Sequence, residues 1–220
     1  MKVDVRLNAI VDPERDGGRD LAELARLVAE GGATLVQLRD KKSDTGVLIE
    51  RARAIKAVLA PFKVPLLIND RVDVALVAQA DGVHVGQTDM PVADARRLLP
   101  PGAIIGLSIN SVERAQAAPL DLLDYVGIGG VYATTSKETK NTPIGLAGLA
   151  RIANAFHMRA PLFPLCAIAG IDAGNAGNTI VAGADGVAVI SALSLAPDPR
   201  AAARELRRLV DETLAKRVKA

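Results

Sequence analysis

Short apolar runs alternate along the chain with segments whose apolar residues recur at helical spacing. The first run, residues 3–11, ends at Asp12-Pro13 and is predicted to be a strand. Residues 21–30 then repeat apolar positions on one helical face and stop at Gly31-Gly32, a normal signal for a helix C-terminus. The same alternation of strand and helix continues to the end of the chain.

This pattern predicts eight strands and eight helices in strict alternation. Further strands are predicted at residues 33–38, 64–68, 82–85, 103–107, 125–128, 162–169 and 186–190. Further helices are predicted at residues 45–59, 72–79, 92–99, 111–118, 146–156, 172–181 and 199–216. No Pro/Gly-rich linker interrupts the series. Such alternation predicts a parallel sheet, and the count of eight favours one closed (β/α)8 TIM-type barrel, a single domain over residues 1–220.

An internal echo supports closure of the barrel. Related segments at residues 32–36, 80–84, 123–127 and 184–188 each open an even-numbered strand, at separations of roughly fifty residues, as a repeated barrel quarter would. Strand-helix-strand crossovers place all C-terminal strand ends on one face. Functional residues are therefore expected directly after the strands.

Composition restricts the core and the partners. Hydrophobic residues make up 50% of the chain but aromatic residues only 2%, so aliphatic side chains must fill the core. The net charge is +2 and basic residues are mixed with acidic ones, which argues against nucleic-acid or membrane partners. Cys166 is the only cysteine and lies in an apolar run, where a core position is expected. Residues 1–30 lack a signal-peptide core and no apolar run is long enough to span a membrane, so cytoplasm is expected. A homo-oligomer is compatible with the sequence, which leaves the oligomeric state open.

Polar side chains follow most of the predicted strands. They are Gln37, Arg39, Lys41, Asn69, Asp70, His84, Gln87, Asp89, Ser108, Asn110, Thr134, Thr135, Ser136 and Lys137. Alternation along residues 33–38 puts Gln37 and Arg39 on the opposite side from Val36 and Leu38, which predicts that they face inward. Such side chains are poor core material unless an anionic or polar ligand lies in front of them.

Two carboxylates in neighbouring loops suggest a metal site. Asp70 and Asp89 could share one hard cation such as Mg²⁺, which usually takes one or two protein carboxylates together with phosphate oxygens and water. Each could instead cap the helix that follows it, with Pro91 in the first turn after Asp89. At the level of residues both interpretations remain open.

Cationic and hydroxyl side chains suggest an anionic ligand. Arg39, Lys41 and Lys137 could balance the charge of a polyphosphate, with Thr134 and Ser136 as neutral donors. The alternative is a solvated turn at residues 137–140 in an ordinary polar loop.

A second anion site is suggested near the end of the barrel. Gly170-Ile171 precedes a helix and Ile190-Ser191 ends the last strand, where backbone N–H groups bind phosphate in many barrels. Alternatively, Gly170 only makes a tight turn. His84 lies inside an apolar strand, where a buried and hydrogen-bonded histidine is expected rather than a base.

Seven blocks of residues resemble the motif series of the thiamine phosphate synthase family. The blocks are Gln37-Leu38-Arg39-Asp40-Lys41, Asn69-Asp70, Asp81-Gly82-Val83-His84-Val85-Gly86-Gln87-Thr88-Asp89, Gly106-Leu107-Ser108, Thr134-Thr135-Ser136-Lys137, Gly170-Ile171 and Ile190-Ser191. The blocks occur in the same order as in the family, and the resemblance extends over nearly the whole chain. The resemblance implies a barrel enzyme that uses Mg²⁺ to join a hydroxymethylpyrimidine diphosphate to a thiazole phosphate, with release of pyrophosphate.

The resemblance also implies residue roles. Asp70 and Asp89 would bind the metal, and Arg39, Lys137 and Ser108 would be the catalytic residues. The pyrimidine and its diphosphate would be held by Gln37, Arg39, Lys41, Asn69, Ser108, Thr134, Ser136 and Lys137. The thiazole phosphate would be held by Gly170, Ile190 and Ser191.

Two other functions compete with this interpretation. A related thiazole tautomerase shares the block around His84 but needs no diphosphate site, and it commonly has histidine where Gly130 stands. A phosphate-binding barrel without catalysis is the second alternative. Many synthases differ from this chain at Gly130, where they have proline or histidine, at Asn110, where they have histidine, and at Ser136, where they have threonine.

Overall fold

The structure is a computed structural model that describes residues 3–136 and 142–217. Eight parallel strands hydrogen-bond in sequence order and close into a barrel. The strands are β1 (Leu7–Val11), β2 (Leu35–Leu38), β3 (Leu66–Asn69), β4 (Gly82–Val85), β5 (Ile104–Ile109), β6 (Tyr125–Gly129), β7 (Leu165–Ile168) and β8 (Gly186–Val189). The predicted TIM-type barrel is confirmed.

Helices surround the barrel and connect consecutive strands. They are α1 (Leu21–Glu30), α2 (Thr45–Leu59), α3 (Val72–Val77), α4 (Val92–Leu98), α5 (Val112–Ala117), α6 (Gly145–Arg159), α7 (Ala176–Val181), α8 (Ser191–Ser194) and α9 (Pro199–Arg217), with a 3₁₀ turn at Ala60–Phe62. No helix within residues 3–136 and 142–217 is both long and apolar enough to cross a membrane.

The predicted bounds of α1, α2 and β4 coincide with the observed ones, whereas α7 begins four residues later than predicted. The delay has a local cause. Asp172 accepts a hydrogen bond from the N–H of Gly174 at 2.8 Å, and Asn175 accepts one from the N–H of Asp172 at 3.0 Å. These side chains hold the backbone in a turn, because short polar side chains compete with helical hydrogen bonds. The four-residue helix α8 was not predicted from the sequence.

Apolar side chains form two layers, one inside the barrel and one between the strands and the helices. Leu35 belongs to the interior layer, whereas Val36 and Leu38 pack against the helices. Gln37 follows the alternation into the interior and is only 3% exposed. Cys166 is also buried in the interior, as predicted.

The internal echo has a structural cause. One side chain at the start of each even-numbered strand accepts a hydrogen bond from the backbone N–H of the preceding strand. The pairs are Thr34 with Leu7 at 3.1 Å, Asp81 with Leu66 at 2.8 Å, Asp124 with Ile105 at 2.8 Å, and Asp185 with Leu165 at 3.1 Å. The same contact therefore recurs at each barrel quarter and ties neighbouring strands at the N-terminal face.

Candidate active site

Asp70 lies directly after β3 with its backbone in the left-handed region, at φ 62°. Its N–H donates to the carbonyl of His84 at 2.8 Å, which ties the end of β3 to β4. Its carboxylate accepts hydrogen bonds from Lys41 and, at 2.8 Å, from the Asn69 side chain. A non-glycine residue at positive φ is uncommon and is often found at functional sites.

Neither candidate metal ligand caps a helix. Helix α3 follows Arg71 and α4 follows Pro91, and neither start is capped by a side-chain hydrogen bond. Asp89 instead accepts a hydrogen bond from the N–H of Gly86 at 2.8 Å. The capping interpretation of Asp70 and Asp89 is therefore wrong, and both carboxylates are available for another role.

The two carboxylates interact with each other. Burial raises the pKa of Asp70, and the neighbouring Asp89 raises it further, although Lys41 opposes both effects. A partly buried pair of like charges favours a shared cation. Within the described ranges, no group of three or more His, Cys, Asp or Glu side chains could hold a metal. Two carboxylates suit Mg²⁺, which completes its coordination with phosphate oxygens and water.

Arg39 pairs with the carboxylate of Asp12, which was not predicted from the sequence to be a site residue. Its guanidinium forms an ion pair with Asp12 at the end of β1, whose side chain is 1% exposed. In the sequence, Asp12 before Pro13 indicated only the end of a strand. The contact crosses between adjacent strand ends, and it orients Arg39 at the mouth of the barrel.

Asp40, between the two candidate cations Arg39 and Lys41, supports the loop after β2. Its carboxylate accepts hydrogen bonds from the backbone N–H groups of Lys42 at 3.1 Å and Ser43 at 3.0 Å, and it pairs with Arg51. Burial opposes its ionisation, but these hydrogen bonds lower the pKa of Asp40. These contacts of Asp40 therefore fix the conformation of the loop that carries Lys41.

Two adjoining cavities open at the C-terminal face. The β7–β8 cavity, of about 530 Å³, is lined by Ala133, Thr134, Thr135, Ser136, Ile168, Ala169, Gly170, Ile171, Asp172, Ala188, Val189, Ile190, Ser191 and Ala192. The β4–β6 cavity, of about 600 Å³, is lined by Gly86, Gln87, Thr88, Ser108, Ile109, Asn110, Arg114, Gly127, Gly129, Gly130, Tyr132, Ala133, Thr134, Pro143, Ile168 and Ala169. They share Ala133, Thr134, Ile168 and Ala169. Two ligands could therefore lie side by side.

The β7–β8 cavity contains all the residues expected at the second anion site. Gly170 has φ +65°, and a Cβ atom there would lie 2.4 Å from the carbonyl oxygen of Ala133. Glycine is thus required both by backbone conformation and by close approach. Ser191 begins the short helix α8, and a short extra helix near the last strands is a common phosphate-binding element in this fold.

Ser136 lies closer to the second anion site than its expected role with the diphosphate suggests. Its hydroxyl is 3.0 Å from that of Ser191, and its N–H donates to Thr134 at 3.1 Å. Lys137, the next candidate, lies outside the described residues. Ser136 therefore stands at the junction of the two proposed subsites.

The β4–β6 cavity has Ser108 at its floor. The Ser108 hydroxyl is 2.9 Å from Nε2 of His84, and its carbonyl accepts a hydrogen bond from Gln87 at 2.7 Å. Arg114 of α5 also lines this cavity and donates to Asn110 at 2.5 Å. Arg114 was not predicted from the sequence, because it resembles many other basic residues on a helix face.

The closed barrel and its polar C-terminal mouth define a (β/α)8-barrel protein with a candidate active site at the ends of its strands. A family profile described as thiamine monophosphate synthase matches residues 7–193. The chain belongs to this family, and the predicted resemblance is confirmed.

Individual relatives agree with the family match. A thiamine-phosphate synthase from Albidiferax ferrireducens is 47% identical over 208 residues, which cover 94% of this chain and 92% of the relative. One from Agrobacterium fabrum is 45% identical over 213 residues, 97% of each protein. The solved structure of a thiamine phosphate pyrophosphorylase from Pyrococcus furiosus superposes with a TM-score of 0.83 at 36% identity, covering 96% of this chain and 98% of that one.

Proposed function

We propose that this chain condenses 4-amino-2-methyl-5-hydroxymethylpyrimidine diphosphate with a hydroxyethylthiazole phosphate to give thiamine phosphate and pyrophosphate. The observation that carries the proposal is a pair of adjoining cavities, of which the β4–β6 cavity borders the Asp70–Asp89 pair through Gly86. Gly86 connects the β4–β6 cavity to the carboxylates, because it lines this cavity and donates its N–H to Asp89. Family membership supplies the reaction class.

The two substrates would divide the mouth between them. The pyrimidine would occupy the β4–β6 cavity near Ser108, with its diphosphate directed toward Asp70, Asp89 and the cations Arg39 and Lys41. Gln37, Asn69, Thr134, Ser136 and Lys137 would complete this subsite. The thiazole phosphate would lie in the β7–β8 cavity against Gly170, Ile190 and Ser191, where backbone N–H groups bind phosphate well.

Mg²⁺ fits the two carboxylates and would supply positive charge against the departing pyrophosphate. Arg39, Lys41 and Lys137 would stabilise the same charge from the protein side. The bond between the pyrimidine methylene carbon and the diphosphate oxygen breaks first, and its electron pair leaves with pyrophosphate. The electron-rich pyrimidine carries the positive charge until the lone pair of the thiazole nitrogen forms the new carbon–nitrogen bond. No protein nucleophile is required.

A direct assay tests the proposal. The purified chain, both substrates and Mg²⁺ are expected to give equal amounts of thiamine phosphate, detected by mass spectrometry, and pyrophosphate, detected as phosphate after hydrolysis by a pyrophosphatase. Omission of either substrate should abolish thiamine phosphate. Binding of both substrates without any product would contradict the proposal and favour a non-catalytic phosphate-binding barrel, whereas isomerisation of a thiazole phosphate alone would favour the tautomerase.

Ser136 offers a graded test of the boundary between the subsites. Ser136→Thr keeps the hydroxyl and is expected to retain most activity. Ser136→Ala should lose about 1.5 to 3 kcal/mol of transition-state stabilisation, the usual contribution of a hydrogen bond to a charged group. Steady-state kinetics at saturating thiazole phosphate should show the loss in kcat as well as in kcat/KM, because the bond strengthens as charge builds on the leaving pyrophosphate.

Thr135 provides the matched control for Ser136, because it lines the same cavity. Thr135→Val removes a neighbouring hydroxyl and is expected to have a smaller effect. An Ser136→Ala variant with wild-type kcat and kcat/KM would remove Ser136 from the site.

A further inference from the structure

Four polar side chains besides Gln37 lie in the largely apolar interior of the barrel. Nδ1 of His84 is 2.7 Å from the Tyr125 hydroxyl, and Nε2 of His84 is 2.9 Å from the Ser108 hydroxyl. The side chain of Asn8 approaches the same Tyr125 hydroxyl and opposes the rise that burial causes in its pKa. Asn8, Tyr125 and His84 are buried, and only Ser108 reaches the β4–β6 cavity. Side chains from β1, β6, β4 and β5 thus form one connected path.

The direction of each hydrogen bond follows from the donors and acceptors present. The side-chain oxygen of Asn8 has no partner among the described residues, and its amide nitrogen is the group that can donate toward Tyr125. With Asn8 as a donor to it, the Tyr125 hydroxyl directs its own hydrogen to Nδ1 of His84, 2.7 Å away. Burial raises the pKa of Tyr125 well above its usual value, so the phenol keeps this hydrogen.

A histidine that accepts at Nδ1 carries its proton on Nε2. Nε2 then donates to the Ser108 hydroxyl, because a neutral imidazole has one donor and one acceptor nitrogen. The hydroxyl of Ser108 is consequently left with its own hydrogen for an acceptor in the β4–β6 cavity. In the reverse order the Tyr125 hydroxyl would donate to Asn8, which requires the amide to present its oxygen to the hydroxyl instead of its nitrogen.

Two glycines make room for this path. A Cβ atom on Gly106 would lie 2.3 Å from ring atoms of Tyr125 and 2.6 Å from Nδ1 of His84. One on Gly127 would lie 3.0 Å from the ring of His84. Interior positions of β5 and β6 are therefore left without side chains where the two rings lie.

We propose that Asn8, Tyr125 and His84 form a hydrogen-bond relay that holds Ser108 as a donor toward a hydrogen-bond acceptor on the pyrimidine substrate. The proposal rests on the proposed function. Tyr125, His84 and Asn8 are positioning residues, since only Ser108 would touch the substrate. The acceptor is either a nitrogen of the pyrimidine ring or an oxygen of its diphosphate.

Nitrogen NMR tests the relay without any need for activity. The chain has two histidines, so histidine labelled with ¹⁵N gives two sets of signals, and His157→Gln assigns them. The expected result is a single neutral tautomer of His84 with the proton on Nε2. In Tyr125→Phe, which lacks the hydroxyl, this fixed tautomer should give way to a mixture. A proton on Nδ1 in the wild type would overturn the relay, even if the protein makes thiamine phosphate.

A double-mutant cycle tests whether the relay acts through Ser108. Tyr125→Phe should lower kcat roughly fivefold to tenfold in the wild type, as expected for one misdirected hydrogen bond, and should have no further effect in Ser108→Ala. Cys166→Ala, which alters the same interior layer beside Tyr125, serves as the packing control and should leave kcat unchanged. Equal losses from Tyr125→Phe in both backgrounds would mean that Tyr125 contributes only to packing.

Binding measurements distinguish the two possible acceptors. If the acceptor belongs to the diphosphate, Ser108→Ala should weaken the binding of inorganic pyrophosphate several-fold in the presence of Mg²⁺. The binding of the unphosphorylated hydroxymethylpyrimidine should not change. If it belongs to the ring, the pattern reverses. Unchanged binding of both probes, together with an unchanged kcat, would overturn the proposal.

Discussion

Asp70→Asn and Asp89→Asn are each expected to lower turnover by on the order of 100-fold or more, with a melting temperature close to that of the wild type. Asparagine keeps the shape of the side chain but removes the charge that a divalent cation needs. It also tolerates the left-handed backbone at position 70, where alanine would add strain.

Stability should survive these substitutions for a specific reason. Neither carboxylate caps a helix, so no capping interaction is lost. Burial and the neighbouring Asp89 already raise the pKa of Asp70, which means that the protein without metal pays an electrostatic cost to keep both charges. Removal of one charge relieves this repulsion and offsets the loss of the Lys41 contact.

The chain contains matched controls for both variants. Asp73 and Asp94 lie in the first turns of α3 and α4 and pair with exposed arginines. Asp73→Asn and Asp94→Asn make the same change of charge beside the mouth and should retain near wild-type turnover. Mg²⁺ with inorganic pyrophosphate should raise the melting temperature of the wild type and of both controls but not of Asp70→Asn or Asp89→Asn. Activity that falls only in step with the folded fraction would contradict the metal site.

Loss of the Arg39 guanidinium is expected to weaken binding of the pyrimidine diphosphate about 10- to 100-fold and to leave the thiazole phosphate nearly unaffected. Arg39→Ala alone is a poor test, because it leaves the carboxylate of Asp12 buried without its partner. Removal of one member of a buried ion pair typically costs about 3 to 5 kcal/mol of stability. The double variant Asp12→Asn/Arg39→Ala removes both charges and keeps the side-chain oxygen that accepts the N–H of Glu14.

Separate titration of the two ligands by calorimetry checks this result. Ser191→Ala tests the opposite subsite and should weaken the binding of the thiazole phosphate more than that of the pyrimidine diphosphate. The double variant Glu212→Gln/Arg208→Ala removes a remote ion pair of α9 with the same unchanged net charge, and it should leave the binding of both ligands unaffected. Equally weakened binding of both ligands in the Asp12/Arg39 variant would show that the two ligands are assigned to the wrong parts of the mouth.

The periodicity of apolar residues was sufficient to predict the barrel. Strands such as β4 and helices such as α1 and α2 follow from local patterns, because apolar spacing and glycine stops act within a few residues of the chain. The mouth followed from topology, since parallel strands joined by helices must all end on one face. Family motifs placed most candidate residues around it without any knowledge of contacts.

Tertiary structure alone decided which groups meet. Asp12 pairs with Arg39, Ser136 contacts Ser191, and His84 contacts Tyr125 in the interior of the barrel. Each pair joins residues far apart in sequence, so no local period records the contact. The direction of a side chain also depends on the backbone: Asp70 could cap a helix or face Asp89, and its left-handed conformation and the hydrogen bond to His84 select the second. Closure of the barrel creates these neighbours, because it brings strand ends that are distant in the chain to within hydrogen-bonding distance around a single mouth.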